Sequence, residues 1–286
     1  MEGAERLEES VPQTADWEHL ARMDRSMLSG FERISLPVCD GVNSSPRLKS
    51  LLQFFVRTVS ATWIFGIAFR RLVLTGLEHV RALDPPRGVI LVSNHRSFFD
   101  MYVCSAVLYK RARFLRRLHF PVRSNFFYTN PVGLLVNLLV SGCAMWPPVF
   151  RDDRRLLLNP VGMAQTAHVL GRQGSVVGYH PEGTRGKGPD PYQFLPIRKG
   201  IGLLVSRCHP ETVILPYFIL GLSNSMGTEI KACARPRAGE NDIRLSFGAP
   251  VRVGDLTPNL PPAQLAEEVM DLVRSLAEDD RTRAST

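Results

Sequence analysis

The stretch that most constrains this chain is Val89-Ile90-Leu91-Val92-Ser93-Asn94-His95-Arg96-Ser97-Phe98-Phe99-Asp100. Its four branched apolar residues, entered from Gly88, read as a buried strand. A short polar break follows. Ser97, with Asp100 three residues on, then has the form of a capping box at a helix start. Strand, polar turn and helix are thereby fixed in that order, with His95 on the turn.

Five residues apart on one helix, His95 and Asp100 would point about 140° away from each other. With His95 on the turn and Asp100 in the first helical turn, the carboxylate can reach back to the imidazole. A histidine held at one nitrogen by a carboxylate presents the other as a base, with its tautomer fixed. No serine accompanies the pair, so it would deprotonate a substrate hydroxyl. This spacing also arises by chance in a chain with seven histidines, and a capping acid beside a loop histidine explains the same residues. The catalytic reading therefore needs a second site.

At 286 residues the chain suits one sizeable domain with extensions. Its net charge of +8 is uneven: residues 1–30 carry a net −4, leaving +12 on the rest. A basic body suits anionic partners such as lipid headgroups or phosphorylated substrates. The densest basic run, Lys110 to Arg117, is equally a solvated helix face, and no zinc finger, RNA-recognition signature or helix-turn-helix spacing accompanies it, so no nucleic-acid partner is expected. The five cysteines are scattered without any CxxC, which argues for reduced thiols at a cytosolic face and against a disulfide framework or zinc site. The acidic start lacks a basic region followed by an apolar core, so no secretory signal is expected.

Taken in order, residues 1–48 read as a polar N-terminal arm, with a short helix from about Asp16 to Leu28. Residues 49–71 read as a membrane-associating helix. Leu51 to Phe69 is mostly apolar, yet Gln53, Arg57 and Ser60 form one polar stripe at helical spacing. A central Arg disfavours a simple spanning helix by about 2.5–3.5 kcal/mol, so a helix lying in the interface fits better, with packing on the protein's own core as the alternative. Residues 72–286 read as a catalytic α/β domain. Strands are expected at 71–76, 89–93, 175–179, 213–219 and 243–247. Helices are expected at 101–118, from Asn130-Pro131, at 160–172, from Lys199, and at 261–278. Alternating strands and helices imply a mixed central sheet flanked by helices, with the site at the strand ends.

The second site follows the strand at 175–179: Glu182-Gly183-Thr184-Arg185. Gly183 lets backbone approach a ligand, Thr184 offers a hydroxyl, and Arg185 can grip a phosphate in a bidentate way. Gly178 and Gly183 have P-loop spacing, but Thr184-Arg185 stands where Lys-[Ser/Thr] is needed, so nucleotide hydrolysis is unsupported. No G-x-S-x-G elbow is present.

Together the two sites resemble the glycerolipid acyltransferases, specifically the 1-acylglycerol-3-phosphate (lysophosphatidate) acyltransferases. Asn94 to Asp100 resembles that family's N-H-x-S-x-x-D block, and His180 to Arg185 its F-P-E-G-T-R block. Pro131 and Gly133 resemble its P-x-G helix start, Phe194 to Gly200 its F-x-x-x-x-K-G segment, and Ile214-Leu215-Pro216 its strand ending in proline. The resemblance covers about residues 72–255. Two departures stand out. His180 occupies a position where the family usually has Phe, and reads as a tolerated aromatic swap rather than a second catalytic histidine. The G-x-[IV]-F-[IV]-x-R block is poorly matched, so either Arg151 or Arg154 would supply the acceptor-binding guanidinium, Arg151 first.

The resemblance implies acyl transfer from acyl-CoA or acyl-carrier protein to the free hydroxyl of a lysophospholipid, giving phosphatidic acid in phospholipid biosynthesis. His95 would act as base and Asp100 as its orienting acid. Glu182 and Gly183 would shape the acceptor pocket, and Thr184 and Arg185 would bind phosphate. It implies no metal and no cofactor beyond the acyl thioester, and a place at a membrane surface on the cytoplasmic side. Another lysolipid acceptor, or a catalytically silent lipid binder on the same fold, is the alternative.

Overall fold

The computed structural model describes residues 25–234 and 242–285. The helix expected from Asp16 to Leu28 falls outside them apart from Arg25–Met27, a single 3-10 turn. Helix α1 spans Glu32–Ser44, α2 Pro46–Arg71, α3 Asp100–Arg111 and α4 Pro262–Ser285. Six strands position the site: β1 Leu72–Thr75, β2 Val89–Ser93, β3 Ser175–Tyr179, β4 Val213–Leu220, β5 Ile243–Phe247 and β6 Val251–Arg252.

The described chain forms two compact units. One comprises the chain up to Val56 with Arg117–Val169, the other Arg57–Arg116 with Leu170 onward.

In the second unit the sheet order is β1-β5-β4-β2-β3, with β6 beside the start of β4. The sheet is mixed: β2 runs parallel to both β3 and β4, while β5 is antiparallel to β4 and parallel to β1. Val89 lies opposite Val176 on one side and Val213 on the other, which explains why this strand is apolar from Val89 to Val92 rather than alternating. All five residues of β2 and all eight of β4 are buried. Helix α3 is buried along most of its length, whereas α4 buries one stripe: Leu265, Ala266, Val269, Met270, Val273 and Ala277.

Helix α3 is shorter than the expected 101–118. It ends at Arg111, the backbone turns extended at Ala112, and Arg117–His119 is a strand. The basic run is thus divided between a helix end, a loop and the first residue of a strand. There Arg57 Nη2 donates to the carbonyls of Leu115 (3.3 Å) and Ala112 (3.5 Å), supplying partners to chain leaving the helix.

In the first unit, α1 occupies sequence read as polar arm. Its inward residues Ser35, Leu36, Cys39 and Val42 recur at helical spacing, and Ser35 Oγ donates to Tyr128 O at 2.7 Å. Pro37 and Gly41 within the helix mask that period in the sequence. The helix start expected at Asn130-Pro131 is present: Asn130 Oδ1 accepts from Gly133 N at 2.8 Å, with Pro131 at the first helical position.

The 26-residue helix α2 is long and apolar enough to cross a membrane. Its polar stripe is committed to protein. Lys49 and Gln53 are buried against carbonyls of the 141–143 turn in the first unit, and Arg57 serves the 112–115 segment in the second. Leu51, Phe54, Val59, Trp63 and Ile67 are exposed.

Candidate active site

The site begins where β2 ends. Asn94 is buried, and its side chain pairs with β4 as a peptide group would: Nδ2 donates to Ile219 O at 2.8 Å and Oδ1 accepts from Ile219 N at 3.0 Å. The sheet ladder is continued by a side chain, which frees the backbone to turn away and present His95.

Asp100 then draws the turn together. Its Oδ2 accepts from Ser97 N (2.7 Å) and Arg96 N (2.8 Å) and faces His95 Nδ1 at 3.2 Å. The carboxylate arm of the capping box has formed. The hydroxyl arm has not: Ser97 Oγ donates to Ser223 O at 2.6 Å and accepts from Phe99 N at 3.1 Å. An ionised carboxylate only accepts, so Nδ1 carries the imidazole proton and Nε2 is left as the basic nitrogen. Asp100 is 1% exposed and His95 14%, so the acid is enclosed and the base reaches solvent. Burial pushes the Asp100 carboxyl up to about 6, against the opposing pull of the Ser97 and Arg96 N–H groups.

The second block lies alongside, after β3. Glu182 is 2% exposed, and both its oxygens are held by backbone: Oε1 accepts from His95 N at 2.9 Å and Oε2 from Leu195 N at 2.8 Å. Burial raises its pKa, and those two N–H groups work the other way. Gly183 takes φ +63°, a left-handed conformation that a side chain would strain. Beyond it, Gly186 N donates to His95 O at 2.8 Å, so the block touches the backbone of His95 twice. Thr184 is exposed. Arg185 donates from Nη1 to Asn224 Oδ1 at 2.5 Å.

The second unit thus brings together His95, Asp100, Glu182, Gly183, Thr184 and Arg185. Arg151 belongs to the first unit, where it and Arg154 are exposed. Arg155 is committed instead, donating at 2.8 Å to the fully buried Glu32 and at 2.7 Å to Asp152, with its guanidinium over the Phe150 ring.

Two supporting residues, Asn224 and Arg96, were given no role in the sequence reading, and a third, His180, was read there as a tolerated aromatic swap. Asn224 accepts from Phe98 N (3.1 Å) and Arg185 and donates to Arg96 O (3.1 Å), tying the turn that carries His95 to Arg185. Arg96 donates to the carbonyls of Gly188 (2.6 Å) and Asp190 (3.1 Å), anchoring the loop after Arg185. His180 lies against His95. Among the described residues no group of three or more His, Cys, Asp or Glu side chains is placed to hold a metal.

A family model described as Acyltransferase matches residues 71–220, which contain both blocks. The chain belongs to the acyltransferase family. No curated protein matches it. Among solved structures, the crystal structure of the 1-acyl-sn-glycerophosphate (LPA) acyltransferase PlsC from Thermotoga maritima is 18% identical over 82% of this chain and 80% of that one, with a TM-score of 0.48. In this acyltransferase the matched segment ends at Leu220, the last residue of β4, so it takes in the strand on which Asn94 is anchored.

Proposed function

We propose that the protein transfers a fatty acyl chain from acyl-CoA or acyl-carrier protein to the free hydroxyl of 1-acylglycerol-3-phosphate, forming phosphatidic acid. The observation that carries this reading is the His95–Asp100 pair, with Nδ1 bound inward at 3.2 Å and the ring partly exposed, beside Arg185 and the Thr184 hydroxyl. His95 Nε2 takes the acceptor hydroxyl proton as that oxygen attacks the thioester carbonyl. The tetrahedral intermediate collapses with loss of the thiolate, which leaves as thiol after taking the proton from His95. Asp100 holds the imidazole and stabilises its cation. Glu182 shapes the pocket from below by fixing His95 and Leu195 backbone. Arg185, with Thr184, binds the acceptor phosphate.

The substrates are a lysophospholipid and an acyl thioester, both presented at a membrane surface. We place the protein on the cytoplasmic side with α2 lying in the interface. Supporting this are the exposed row Leu51, Phe54, Val59, Trp63 and Ile67 opposite a protein-bound polar stripe, and the free cysteines 39, 104, 143 and 208.

The test is free-thiol release from palmitoyl-CoA, with and without lysophosphatidate, on wild type and His95→Ala. Release requiring both lysophosphatidate and His95 is expected. Release that ignores the lysolipid but needs His95 means hydrolysis. No release with palmitoyl-CoA, an acyl-carrier-protein donor or other lysolipids, alongside retained lipid affinity in His95→Ala, means a silent lipid binder.

A further inference from the structure

His180 follows β3 directly and lies flat on His95, with ring centroids 4.2 Å apart and planes 11° from parallel. Its Nδ1 sits 3.0 Å from Asn94 O and 3.0 Å from Ser93 Oγ, and Ser93 Oγ itself donates to Asn94 O at 2.9 Å. A carbonyl only accepts, so Nδ1 of neutral His180 carries the proton. The accepting carbonyl belongs to the peptide that joins Asn94 to His95. The N–H of that same peptide donates to Glu182 Oε1 at 2.9 Å. Both polar ends of one amide are therefore gripped by a three-residue stretch, His180-Pro181-Glu182, and the amide is the one that sets where His95 begins. Phenylalanine at 180 could supply the flat face but not the donor.

We propose that His180 is a positioning residue of the acyl transfer, its Nδ1–H locking the Asn94–His95 peptide and, through that peptide, the place of the His95 imidazole. The inference rests on His95 being the base proposed above. Burial, and then the like charge that His95 can carry, depress the His180 pKa to about 3. Asp100 acts in the opposite sense, and His180 stays neutral while His95 gains and loses the substrate proton, and does not compete for it.

The test compares His180→Phe, which keeps a flat ring without the donor, with His180→Asn, whose amide nitrogen sits where Nδ1 does and restores the donor without the ring. Thermal midpoints establish that each is folded. For His180→Phe, kcat is expected to fall about tenfold with KM for both substrates within about twofold, as follows from a displaced rather than a missing base. His180→Asn is expected to recover to within about threefold of wild type. Wild-type kcat in His180→Phe overturns the proposal, as does an equal fall in both variants. A second readout needs no turnover: the low-field NMR signal of the His95 Nδ1–H bonded to Asp100. It should be sharp in wild type and His180→Asn and broadened by exchange in His180→Phe. An unchanged signal in His180→Phe overturns the proposal even where thiol release fails to depend on His95, an outcome that would count against the proposed function instead.

Discussion

Two turns in this molecule are built alike and do opposite things. In the second unit, the turn at 94–100 is held by the buried side chains of Asn94, Asp100 and Glu182. In the first, the turn at 141–143, with Gly142 and Cys143 both left-handed (φ +61° and +56°), is held by Lys49, Gln53 and Asn43. Lys49 Nζ donates to Cys143 O (3.0 Å) and Gly142 O (3.3 Å), Gln53 to Gly142 O (3.0 Å), and Asn43 to Cys143 O (3.2 Å). There the donors of the holding side chains are spent on backbone. At 94–100 the same kind of support orients one ring that is itself partly exposed. A buried polar cluster is a strut when its members are aimed at backbone, and a site when backbone aims one member outward.

The contrast can be broken at its strongest point first. His95→Ala should lower turnover at least about 10³-fold while leaving the thermal midpoint within about 2 °C, because the ring is supported by the turn rather than supporting it. Asp100→Asn comes next, at about 10²-fold, since an amide can still face the Ser97 and Arg96 N–H groups but no longer stabilises an imidazolium. In wild type, kcat/KM should fall as pH drops through about 6, the range in which Asp100 takes up a proton, and a profile flat to pH 5 would refute that assignment. For stability the sign is reversed: Asp100 binds its proton more tightly folded than unfolded, so its contribution declines as pH rises from 3.8 toward about 6.

Lys49→Met tests the strut. Leaving two buried carbonyls short of a donor should lower stability by about 2 kcal/mol, or about 4–8 °C, with turnover per folded molecule unchanged. Burial depresses the Lys49 pKa from 10.5 to about 8, so the folded state sheds its proton first and stability gains from Lys49 as pH rises between those values. Urea midpoints at pH 8 and 10 should diverge between wild type and Lys49→Met, wild type gaining.

What the sequence disclosed follows the range of the interactions involved. The β2 strand, the Asp100 return and the Asn130 cap are written in residues within five of one another, so period and spacing find them. The polar stripe on α2 was visible for the same reason, although not which carbonyls it serves. The stacking of His180 on His95 and the Asn224 link are contacts between segments 85 and more residues apart, and no local pattern encodes them. Helix α1 was hidden differently: Pro37 and Gly41 lower its helix propensity, and packing of Leu36, Cys39 and Val42 overrides them. The resemblance has Glu182 shaping the acceptor pocket, and only the structure shows that both of its oxygens bind backbone.

Asn94 has a consequence beyond the geometry it serves. Its amide meets both an N–H and a C=O of Ile219, so it must donate and accept at once. Aspartate has the same shape but only accepts, and would set a carboxylate against the Ile219 carbonyl. Codons for the two amino acids differ at a single base. The most conservative-looking change available to this position by point mutation is thus among those it can least accommodate, and in a lineage the site is guarded by selection rather than by distance in the genetic code.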